Sequence, residues 1–455
     1  MNISRKKKQF FIACVDVLFL IAALFLTLLI RRREIPDLSY FLDHLLYFIP
    51  IIVLWIVGLY TVGLYSLEMP FKGYKTVSFI TFVAIIGMLG GFALFYLLPN
   101  PEILPKTVMV LYSCISLCLI ALWRWGFNAV SVKLLPRMNI AFAGINDTVI
   151  DLLRYMDNFS YMGYQAFRIL EEDYPADSCY GIPVVKDASQ FIHEIEDNKV
   201  NMVVLAGEKE LSYEIRSALF NLLQHHVRFI NIPDFYEIYM RKIPIGAVNE
   251  LWFLRNIDLN SRNMYRFFKR ACDIFISLIF SIITIPFWPF IMLIIKLESP
   301  GPVFFKQIRA GLYGKPFTIL KFRTMRTDNN TFKPTGENDP RITRFGNFMR
   351  KTRIDELPQF LNVLKGDMSF VGPRPERPEL IHELEKEVPF YNQRMLVKPG
   401  ITGWDQVSGE YHSPSIEDTY KKLQYDLYYI KNMSFFLDIS IFFKTIMTVF
   451  RRAGI

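Results

Sequence analysis

The sequence predicts a membrane protein in three parts: an α-helical N-terminal bundle, an α/β middle domain, and a C-terminal α/β domain with one further membrane helix. Three observations predict this fold class. The 455 residues are 52% hydrophobic with a mean hydropathy of +0.24, whereas soluble proteins average about 45–50% apolar residues. Four long apolar runs fill the first third of the chain, and a fifth covers residues 271–295. An acidic middle segment separates two basic ends.

The formal net charge of +9 is unevenly distributed. Lys and Arg outnumber Asp and Glu by 13 to 6 in residues 1–139 and by 30 to 20 in residues 251–455, but residues 140–250 contain 9 against 17. Basic residues beside apolar segments indicate anionic lipid or phosphorylated partners and no nucleic acid. Abundant aromatic residues exclude a disordered chain. Five Cys without a CxxC pair exclude a disulfide scaffold and a cysteine metal site.

The first part, residues 1–137, is predicted to be a four-helix transmembrane domain. Its apolar runs cover residues 10–30, 45–65, 77–98 and 107–125, each about as long as a membrane-spanning helix. The first run lacks a small-residue cleavage site, so a signal peptide is not expected. With a cytoplasmic N terminus, nine basic residues lie inside and four outside. This count favours that orientation, although the basic triplet at 31–33 argues against it.

The second part, residues 138–250, reads as an α/β domain with a parallel sheet. Short apolar runs at 138–144 and 201–207 precede helical patterns at 148–156 and 211–223, and residues 227–232 form a further strand candidate. The first strand ends in AGINDT, which has Gly144 but not the other glycines of a dinucleotide-binding turn. We therefore expect a structural or regulatory domain that is not catalytic.

The third part, residues 251–455, begins with an apolar run that Pro286 and Pro289 interrupt. Proline removes a helical hydrogen bond and kinks the helix. The residues alone leave two alternatives open, a membrane crossing and a re-entrant hairpin with both ends on one side. The last apolar segment, residues 435–450, fits an interfacial helix or a core helix.

Candidate chemistry lies between residues 298 and 410. The segment is rich in basic residues, namely Lys321, Arg323, Arg326, Arg341, Arg344, Arg350, Lys351, Arg353, Arg374 and Arg377. The apolar pattern around KFRT predicts a strand on which Lys321 and Phe322 point to opposite faces. The prolines of GPRPERP stiffen the backbone around two arginines, which suits phosphate recognition. Most of the remaining basic residues are expected on the solvated surface.

Asp355 and Glu356 form the clearest acidic pair. One carboxylate could act as a nucleophile towards phosphorus, and its neighbour could hold Mg²⁺ together with water and substrate phosphates. The alternative is a pair that only stabilises a helix N terminus. The chain has no Asp-x-Asp, Walker A or Gly-x-Ser-x-Gly motif, and its six His lack metal-ligand spacing.

A dense, ordered series of motifs then identifies a family. They are KRACD (269–273), KLESPGPVFFKQIRAG (296–311), GKPFTILKFRTM (314–325), NDPRITRFGNFMRKTRIDELPQFLNVLKGDMSFVGPRPERPE (338–379), VKPGITGW (397–404) and LQYDLYYIKNMSFFLDISIFFKT (423–445). From about residue 266 to 452 the chain resembles the bacterial sugar transferases, which are polyprenyl-phosphate sugar-1-phosphate transferases, also called phosphoglycosyl transferases. The arrangement of the whole chain resembles the large members of that family, with four N-terminal helices and a Rossmann-like middle domain.

The resemblance implies a reaction: sugar-1-phosphate passes from a UDP-hexose to undecaprenyl phosphate, with UMP as the second product. This step begins O-antigen, capsule or exopolysaccharide synthesis. The implied cofactor is Mg²⁺, held by Asp355 and Glu356, and the implied intermediate is a phosphosugar on Asp355, with Glu356 binding metal or transferring a proton. The implied substrate-binding residues are Lys269, Arg270, Asp273, Lys321, Arg323, Arg350, Gln359, Arg374 and Arg377.

The resemblance also implies a location and a topology. The catalytic domain is expected to be monotopic, with a re-entrant helix at about 269–296 kinked at Pro286, because UDP-sugars are cytoplasmic. The N terminus and the catalytic domain would face the cytoplasm at the bacterial inner membrane, and a homodimer is predicted. Asp405 replaces the usual Ala, and Ile285-Pro286 replaces the usual Ser-Pro. A non-catalytic membrane scaffold or regulator that binds nucleotide-sugars is the alternative function.

Overall fold

The computed structural model describes residues 2–65, 74–97, 105–134, 138–158, 164–198, 200–207, 212–225, 227–259, 262–326, 339–408 and 415–450. Two compact units make up the chain, Met1–Ile232 and Pro233–Ile455. Lys72 and Arg137, which the orientation count includes, lie outside the described residues, as does Arg451 after the last helix.

Four long helices confirm the apolar runs of the N-terminal part. They are α1 (Asn2–Arg32), α2 (Leu38–Thr61), α3 (Tyr74–Leu97) and α4 (Pro105–Leu134). Segments Gln9–Arg32, Leu38–Thr61, Thr76–Tyr96 and Thr107–Phe127 are long and apolar enough to cross a membrane. The predicted second run extends four residues too far, because the helix ends at Thr61 and the chain turns there.

The bundle is closely packed and contains a buried charge pair. A Cβ atom on Gly87 of α3 would lie 2.5 Å from Nε1 of Trp55 in α2, so only glycine permits this approach. Arg124 of α4 donates to Asp16 of α1, and the hydroxyl of Tyr65 donates to the same carboxylate at 2.7 Å. Arg124 is only 1% exposed. The orientation count treats Arg124 as a cytoplasmic charge, whereas here it neutralises Asp16.

The middle part forms a mixed sheet flanked by helices, as the alternating pattern predicts. Its elements are β1 (Met138–Ala143), α5 (Asp147–Asn158), β2 (Tyr164–Leu170), β3 (Ser178–Cys179), β4 (Ile182–Val185), α6 (Ala188–Asp197), β5 (Met202–Leu205), α7 (Tyr213–Asn221) and β6 (Arg228–Asn231). The strand order is β3-β4-β2-β1-β5-β6, and all neighbours are parallel except β3 and β4. The helix predicted from residue 211 begins at Tyr213, and residue 211 itself lies outside the described part.

The second unit contains helices and two small sheets. Its elements are α8 (Ile232–Met240), α9 (Glu250–Asn256), α10 (Asn263–Thr284), α11 (Trp288–Glu298), β7 (Phe304–Ala310), β8 (Pro316–Phe322), α12 (Arg344–Thr352), α13 (Gln359–Lys365), β9 (Ser369–Val371), α14 (Pro378–Glu387), β10 (Gly400–Thr402), α15 (Ile416–Asn432) and α16 (Phe435–Phe450). Strands β7 and β8 form an antiparallel hairpin, and β9 pairs with β10 in parallel.

This unit begins at Pro233, whereas the sequence-based boundary lies between residues 250 and 251. The intervening segment packs into the C-terminal core. Ile243 and Ile245 are buried with Leu423 and Leu427 of α15, and the Ile243 amide donates to the Gln424 carbonyl at 3.1 Å. Burial of these side chains stabilises the unit, so the segment is part of it.

The fifth apolar run forms two consecutive helices, α10 and α11. A 3-10 turn, Ile285–Phe287, joins α10 to α11 and contains Pro286. Asp273, Ser277 and Ser281 lie one helical turn apart on α10 and are buried. This spacing places them on one face, and Asp273 accepts hydrogen bonds from the Phe370 amide at 3.0 Å and the Ser369 hydroxyl at 2.8 Å.

The last helix, α16, packs against the same unit. Ile441 is fully buried in a cluster with Phe370 and Trp404, which favours the core-helix alternative for most of its length. Phe435 and Phe436 at its start are 48% and 56% exposed, so the first turn presents an apolar surface to the surroundings.

Candidate active site

The two adjacent carboxylates lie on a tight turn after α12. The N-cap residue of this helix is Thr343, whose hydroxyl accepts from the Gly346 amide at 3.0 Å. It ends at Arg353, which adopts a left-handed conformation with φ of +59° that a non-glycine residue rarely adopts. The chain then forms the 3-10 turn Ile354–Glu356. The reversal turns both acidic side chains inwards, where each is 8% exposed.

Glu356 is held by cations from three directions. Nζ of Lys321 donates to its Oε1 at 2.8 Å, and Nη2 of Arg374 donates to the same oxygen at 3.1 Å. Nη1 of Arg353 lies 3.8 Å from Oε2. Burial alone would raise the pKa of Glu356, but Lys321, Arg374 and Arg353 together lower it below its usual value. Glu356 is therefore ionised at neutral pH.

Asp355 behaves in the opposite way. Burial, and then the charge on Glu356, raise the pKa of Asp355 to about 6, against the opposing effect of Lys321 and Arg350. Its Oδ1 atom is buried and accepts no hydrogen bond from any residue in the described part of the chain. A buried oxygen without a partner is costly unless a ligand satisfies it. Asp355 therefore has a buried carboxylate oxygen that a ligand could satisfy.

Strand β8 places Lys321 beside the pair, as the alternating pattern predicts. Phe322 is 1% exposed and packs with Trp288 and Met349, while Lys321 on the opposite face reaches Glu356. Beyond the strand, Nε of Arg350 donates to the Thr324 hydroxyl at 3.0 Å. Lys321 and Arg374 therefore contact the acidic pair through Glu356, and the charge of Arg350 acts on Asp355.

The side chain of Asn362 fixes this arrangement. Its Oδ1 accepts from the Leu320 amide at 3.1 Å, and its Nδ2 donates to the Thr318 carbonyl at 2.7 Å. Asn362 thus satisfies the open edge of β8 as a neighbouring strand would, and it ties α13 to the strand that carries Lys321. No sequence pattern distinguishes Asn362, because one buried Asn in an apolar helix has no distinctive spacing.

Four of the predicted substrate-binding residues make contacts with other parts of the same unit. Nζ of Lys269 donates to Asp438 at 2.9 Å. Arg270 donates to the Val363 carbonyl at 2.6 Å and to the Leu364 carbonyl at 2.9 Å, at the C-terminal end of α13. Asp273 binds strand β9, as described above. Arg323 donates to the Ser299 carbonyl at 2.6 Å and the Pro300 carbonyl at 2.7 Å.

The remaining predicted residues lie at helix boundaries. Gln359 is buried in the first turn of α13, three residues after Glu356. Arg377 is half-buried immediately before α14. Pro286 lies in the 3-10 turn of the fifth apolar run. The structure thus brings Lys321, Arg350 and Arg374 close to the acidic pair, and the sequence pattern did not separate them from the basic residues that bind backbone carbonyls.

The middle domain does not offer a phosphate site at the usual position. The amide of Ile145, in the turn after β1, donates to Oε2 of Glu171 at 2.7 Å. The side chain of Asn146 caps the Val149 amide at 3.0 Å and donates to the Ala206 carbonyl at 3.1 Å. A phosphate at this turn would meet the carboxylate of Glu171, which would repel it.

Comparisons with known proteins assign two parts of the chain to families. Residues 264–452 match the bacterial sugar transferase family, and residues 56–233 match the CoA-binding domain family. CoA carries phosphates, and the carboxylate of Glu171 at the β1 turn does not fit them. The middle domain therefore gives no support for a CoA site at this turn.

Three relatives define the similarity. The chain is 41% identical over 256 residues to a UDP-N-acetylgalactosamine-undecaprenyl-phosphate N-acetylgalactosaminephosphotransferase of Aeromonas hydrophila, covering 55% of this chain and 57% of that protein. It is 33% identical over 344 residues to a UDP-glucose:undecaprenyl-phosphate glucose-1-phosphate transferase of Xanthomonas campestris pv. campestris, covering 72% and 70%.

The third relative is much shorter than this chain. An exopolysaccharide production protein of Rhizobium leguminosarum bv. phaseoli is 43% identical over 198 residues, which are 40% of this chain and 96% of that protein. Together with the match over residues 264–452, the extent of the Xanthomonas alignment shows that the chain belongs to the bacterial sugar transferase family.

Proposed function

We propose that this chain transfers sugar-1-phosphate from a UDP-hexose to undecaprenyl phosphate, releasing UMP, at the initiating step of surface polysaccharide synthesis. The observation that carries the proposal is the contrast between two neighbouring carboxylates. Asp355 has a raised pKa and a buried oxygen without a described partner, whereas Glu356 is ionised and held by cations. Pairs of carboxylates whose environments separate their pKa values mark acid, base and nucleophile roles. The relatives' names support the same chemistry.

In the first step, an oxygen of Asp355 attacks the phosphorus atom that is bonded to the sugar. The bond from this phosphorus to the bridging oxygen breaks, and its electron pair leaves with UMP. The product is a phosphosugar attached to the Asp355 carboxylate. Lys321 and Arg374 are the cations closest to the pair, so they are placed to neutralise charge that develops on the diphosphate.

In the second step, a phosphate oxygen of undecaprenyl phosphate attacks the same phosphorus. The bond to Asp355 breaks and its electrons return to the carboxylate, which regenerates the enzyme. One phosphoanhydride is cleaved and another is formed, so the overall energy change is small. Positioning and charge neutralisation then account for most of the catalysis.

Glu356 serves this reaction as a fixed charge. Because its pKa is lowered, it does not supply a proton at neutral pH. Its oxygens are already contacted by Lys321, Arg374 and Arg353. We infer that Glu356 orients these cations around the donor, in preference to the proton-transfer role considered from the sequence.

A magnesium ion fits this site through Asp355. Mg²⁺ usually takes one or two protein carboxylates and completes its shell with water and substrate phosphates. Asp355 has a buried oxygen free of described partners, whereas Glu356 is engaged by cations. No group of three or more His, Cys, Asp or Glu side chains within the described residues forms a metal cage. When bound, Mg²⁺ would neutralise negative charge on the donor diphosphate.

We infer that the fifth apolar run enters and leaves the membrane on one side. The start of α10 is fastened to α13 by Arg270 and to β9 by Asp273. The end of α11 is fastened through Glu298, which accepts from the Phe345 amide at 2.9 Å, and through Arg323. Both ends therefore contact the same unit, although the candidate span Asn263–Glu298 has 36 residues. If straight, such a helix would extend about 54 Å.

This topology supports a location at the cytoplasmic face of the bacterial inner membrane, where a nucleotide-sugar and a lipid phosphate can meet. The middle domain would be Rossmann-like. Its five parallel strands lie in the spatial order β4-β2-β1-β5-β6, which becomes the 3-2-1-4-5 order of that class when these strands are numbered along the chain. The contact of Glu171 with the Ile145 amide supports a role that does not involve nucleotide phosphates. The predicted homodimer remains a prediction.

The proposal is tested with the full-length chain in membranes that contain undecaprenyl phosphate and Mg²⁺. A panel of labelled UDP-glucose, UDP-galactose and their N-acetylated relatives identifies the sugar. We expect UMP release and a labelled lipid diphosphate with one donor, and loss of both in Asp355→Asn. Release of UDP would indicate transfer of sugar alone. Donor binding without any release would indicate the non-catalytic alternative, and full activity of Asp355→Asn would contradict the nucleophile assignment.

A further inference from the structure

The loop that carries Arg374 is held by an unusual set of hydrogen bonds. Residues 372–377, which we term the arginine loop, have four consecutive carbonyls that each accept an N–H. The Pro373 carbonyl accepts from the Gly400 amide at 2.9 Å, and the Glu376 carbonyl accepts from the Ala310 amide at 2.9 Å. The two carbonyls between them accept from arginine side chains.

These two arginines come from different elements. Nη2 of Arg394, which follows α14, donates to the Arg374 carbonyl at 3.0 Å. Nη1 of Arg309, on strand β7, donates to the Pro375 carbonyl at 3.1 Å. A guanidinium is a rigid planar donor. Two such groups therefore fix the backbone immediately after the Arg374 side chain, and the Gly400 amide holds the carbonyl before it.

Arg394 is itself held in place by neighbouring side chains. Asp426 of α15 accepts from Nε of Arg394 at 3.1 Å and lies 2.8 Å from its Nη2, and the pair is 7% and 3% exposed. Nη1 of Arg394 donates to the Tyr391 hydroxyl at 2.5 Å. A buried ion pair contributes little to stability by itself compared with apolar packing. Such a pair can instead set geometry.

Resting on the function proposed above, we propose that Arg394 and Asp426 are positioning residues for the transfer reaction. They act through the backbone of Arg374, and Arg309 supports the same loop at the next carbonyl, that of Pro375. Their effect is to place the Arg374 guanidinium on Oε1 of Glu356, beside the reactive Asp355. Arg394 and Asp426 do not act at the carboxylate pair themselves. Arg394 contacts the main chain of the arginine loop, and Asp426 contacts Arg394.

The inference predicts a particular pattern of kinetic defects. Arg394→Lys and Asp426→Asn retain similar size but remove the forked donor or the charge that orients it. Each should lower kcat/KM for the donor on the order of ten- to a hundredfold, as expected for a small misplacement of a catalytic group. The KM for undecaprenyl phosphate should change less, since Arg374 lies at the carboxylate pair where the donor diphosphate binds.

A double-mutant cycle separates positioning from a general loss of stability. In an Arg374→Lys background, adding Asp426→Asn should lower kcat/KM by no more than about twofold further, because the residue acts through Arg374. If Asp426→Asn caused a general structural defect instead, its effect on kcat/KM would multiply with the effect of Arg374→Lys. Glu237→Gln is the matched control, since it breaks another ion pair of α15, with Lys431 at 2.6 Å, away from the arginine loop. It should leave the kinetics unchanged.

A second variant covers the case in which the buried pair cannot be changed without unfolding. Arg309→Lys alters a side chain that is 22% exposed, and it should show the same dependence on Arg374. Full activity of Asp426→Asn or Arg309→Lys, or multiplicative loss in the Arg374→Lys background, would overturn the inference. If the wild type binds UDP-sugar without releasing UMP, the proposed function fails, and the same cycle measured on the donor Kd still decides the positioning role.

Discussion

Asp355 and Glu356 share one turn of backbone, yet their environments separate them. Glu356 contacts Lys321 and Arg374 directly, and these charges outweigh the cost of burial. Asp355 is influenced by the same cations at longer range, so burial and the charge on Glu356 dominate. The left-handed Arg353 begins the turn that carries both residues. The different environments of these adjacent residues are the basis of their proposed roles as nucleophile and fixed charge.

The raised pKa of Asp355 predicts a pH dependence. The nucleophile must be ionised, so the ionised fraction falls as the pH drops through about 6, the pKa of Asp355. We expect kcat/KM to rise with pH through this region and then to level off. Initial rates of UMP release between pH 5 and 8, with donor well below KM, measure this limb. A profile that is flat across pH 6 would contradict the assignment.

Glu356→Gln tests the fixed charge. The substitution removes the negative charge that raises the pKa of Asp355, so the acid limb of kcat/KM should move to lower pH. It also removes the carboxylate that Lys321, whose side chain is 18% exposed, contacts at 2.8 Å, which should lower the free energy of unfolding by about 3 kcal/mol. Rates across pH and thermal unfolding in detergent measure the two effects.

The control for this variant is Glu417→Gln. Glu417 is 81% exposed and pairs with Lys421 one helical turn away, and exposed pairs of this kind contribute about 0.3–0.5 kcal/mol. It should change neither the pH profile nor the unfolding temperature appreciably. An unchanged acid limb in Glu356→Gln would show that Glu356 does not control the ionisation of Asp355.

For individual residues, the sequence pattern indicated where a side chain points better than it indicated what that side chain contacts. The alternation around KFRT correctly placed Lys321 opposite Phe322. The same motif offered Arg323 as a second phosphate ligand, whereas Arg323 binds carbonyls at the end of α11. Both residues are basic, and only the course of the chain after β8 distinguishes them. Asp426 could not be predicted from the sequence, because its role depends on its contact with Arg394, which lies 32 residues earlier in the chain.

Among the secondary-structure elements, hydropathy was the most informative signal. The four apolar runs became α1 to α4 because long apolar segments satisfy their backbone groups as helices. The short pieces around the site were not predicted. The 3-10 turn at Ile354–Glu356 and the paired strands β9 and β10 are three residues long each, which is too short for a periodic pattern. Their positions depend on tertiary contacts such as the Gly372 amide to the Thr402 carbonyl.

The proposal that both ends of the helices α10 and α11 lie on one side of the membrane predicts a labelling pattern. Arg266 and Lys296 are exposed near the two ends of the pair. In a cysteine-free background, Arg266→Cys and Lys296→Cys should react together with a membrane-impermeant thiol reagent, and only after the cells are permeabilised. The reason is that both ends contact one unit, so they lie on one side. Labelling of Lys296→Cys alone in intact cells would show that the run crosses the membrane.

For the whole molecule, the residues proposed for catalysis are confined to the second unit. Lys321, Asp355, Glu356 and Arg374 lie within Pro233–Ile455, as do the arginines that hold the arginine loop. The core of this unit begins with Ile243 and Ile245, so a cut at residue 250 would remove buried side chains. The shorter Rhizobium relative aligns over 96% of its own length with only 40% of this chain.

A fragment of residues 233–455 should therefore retain transfer activity. We expect it to remain in the membrane fraction, because α10 and α11 are present, and to show a donor KM within about twofold of the full chain. A fragment of residues 251–455 should be unstable, since it lacks Ile243 and Ile245 of the same core. UMP release and thermal unfolding of both fragments provide the measurement. If the longer fragment folds but releases no UMP, residues 1–232 contribute directly to the reaction. Equal stability of the two fragments would show that the segment before residue 251 is not part of the catalytic core.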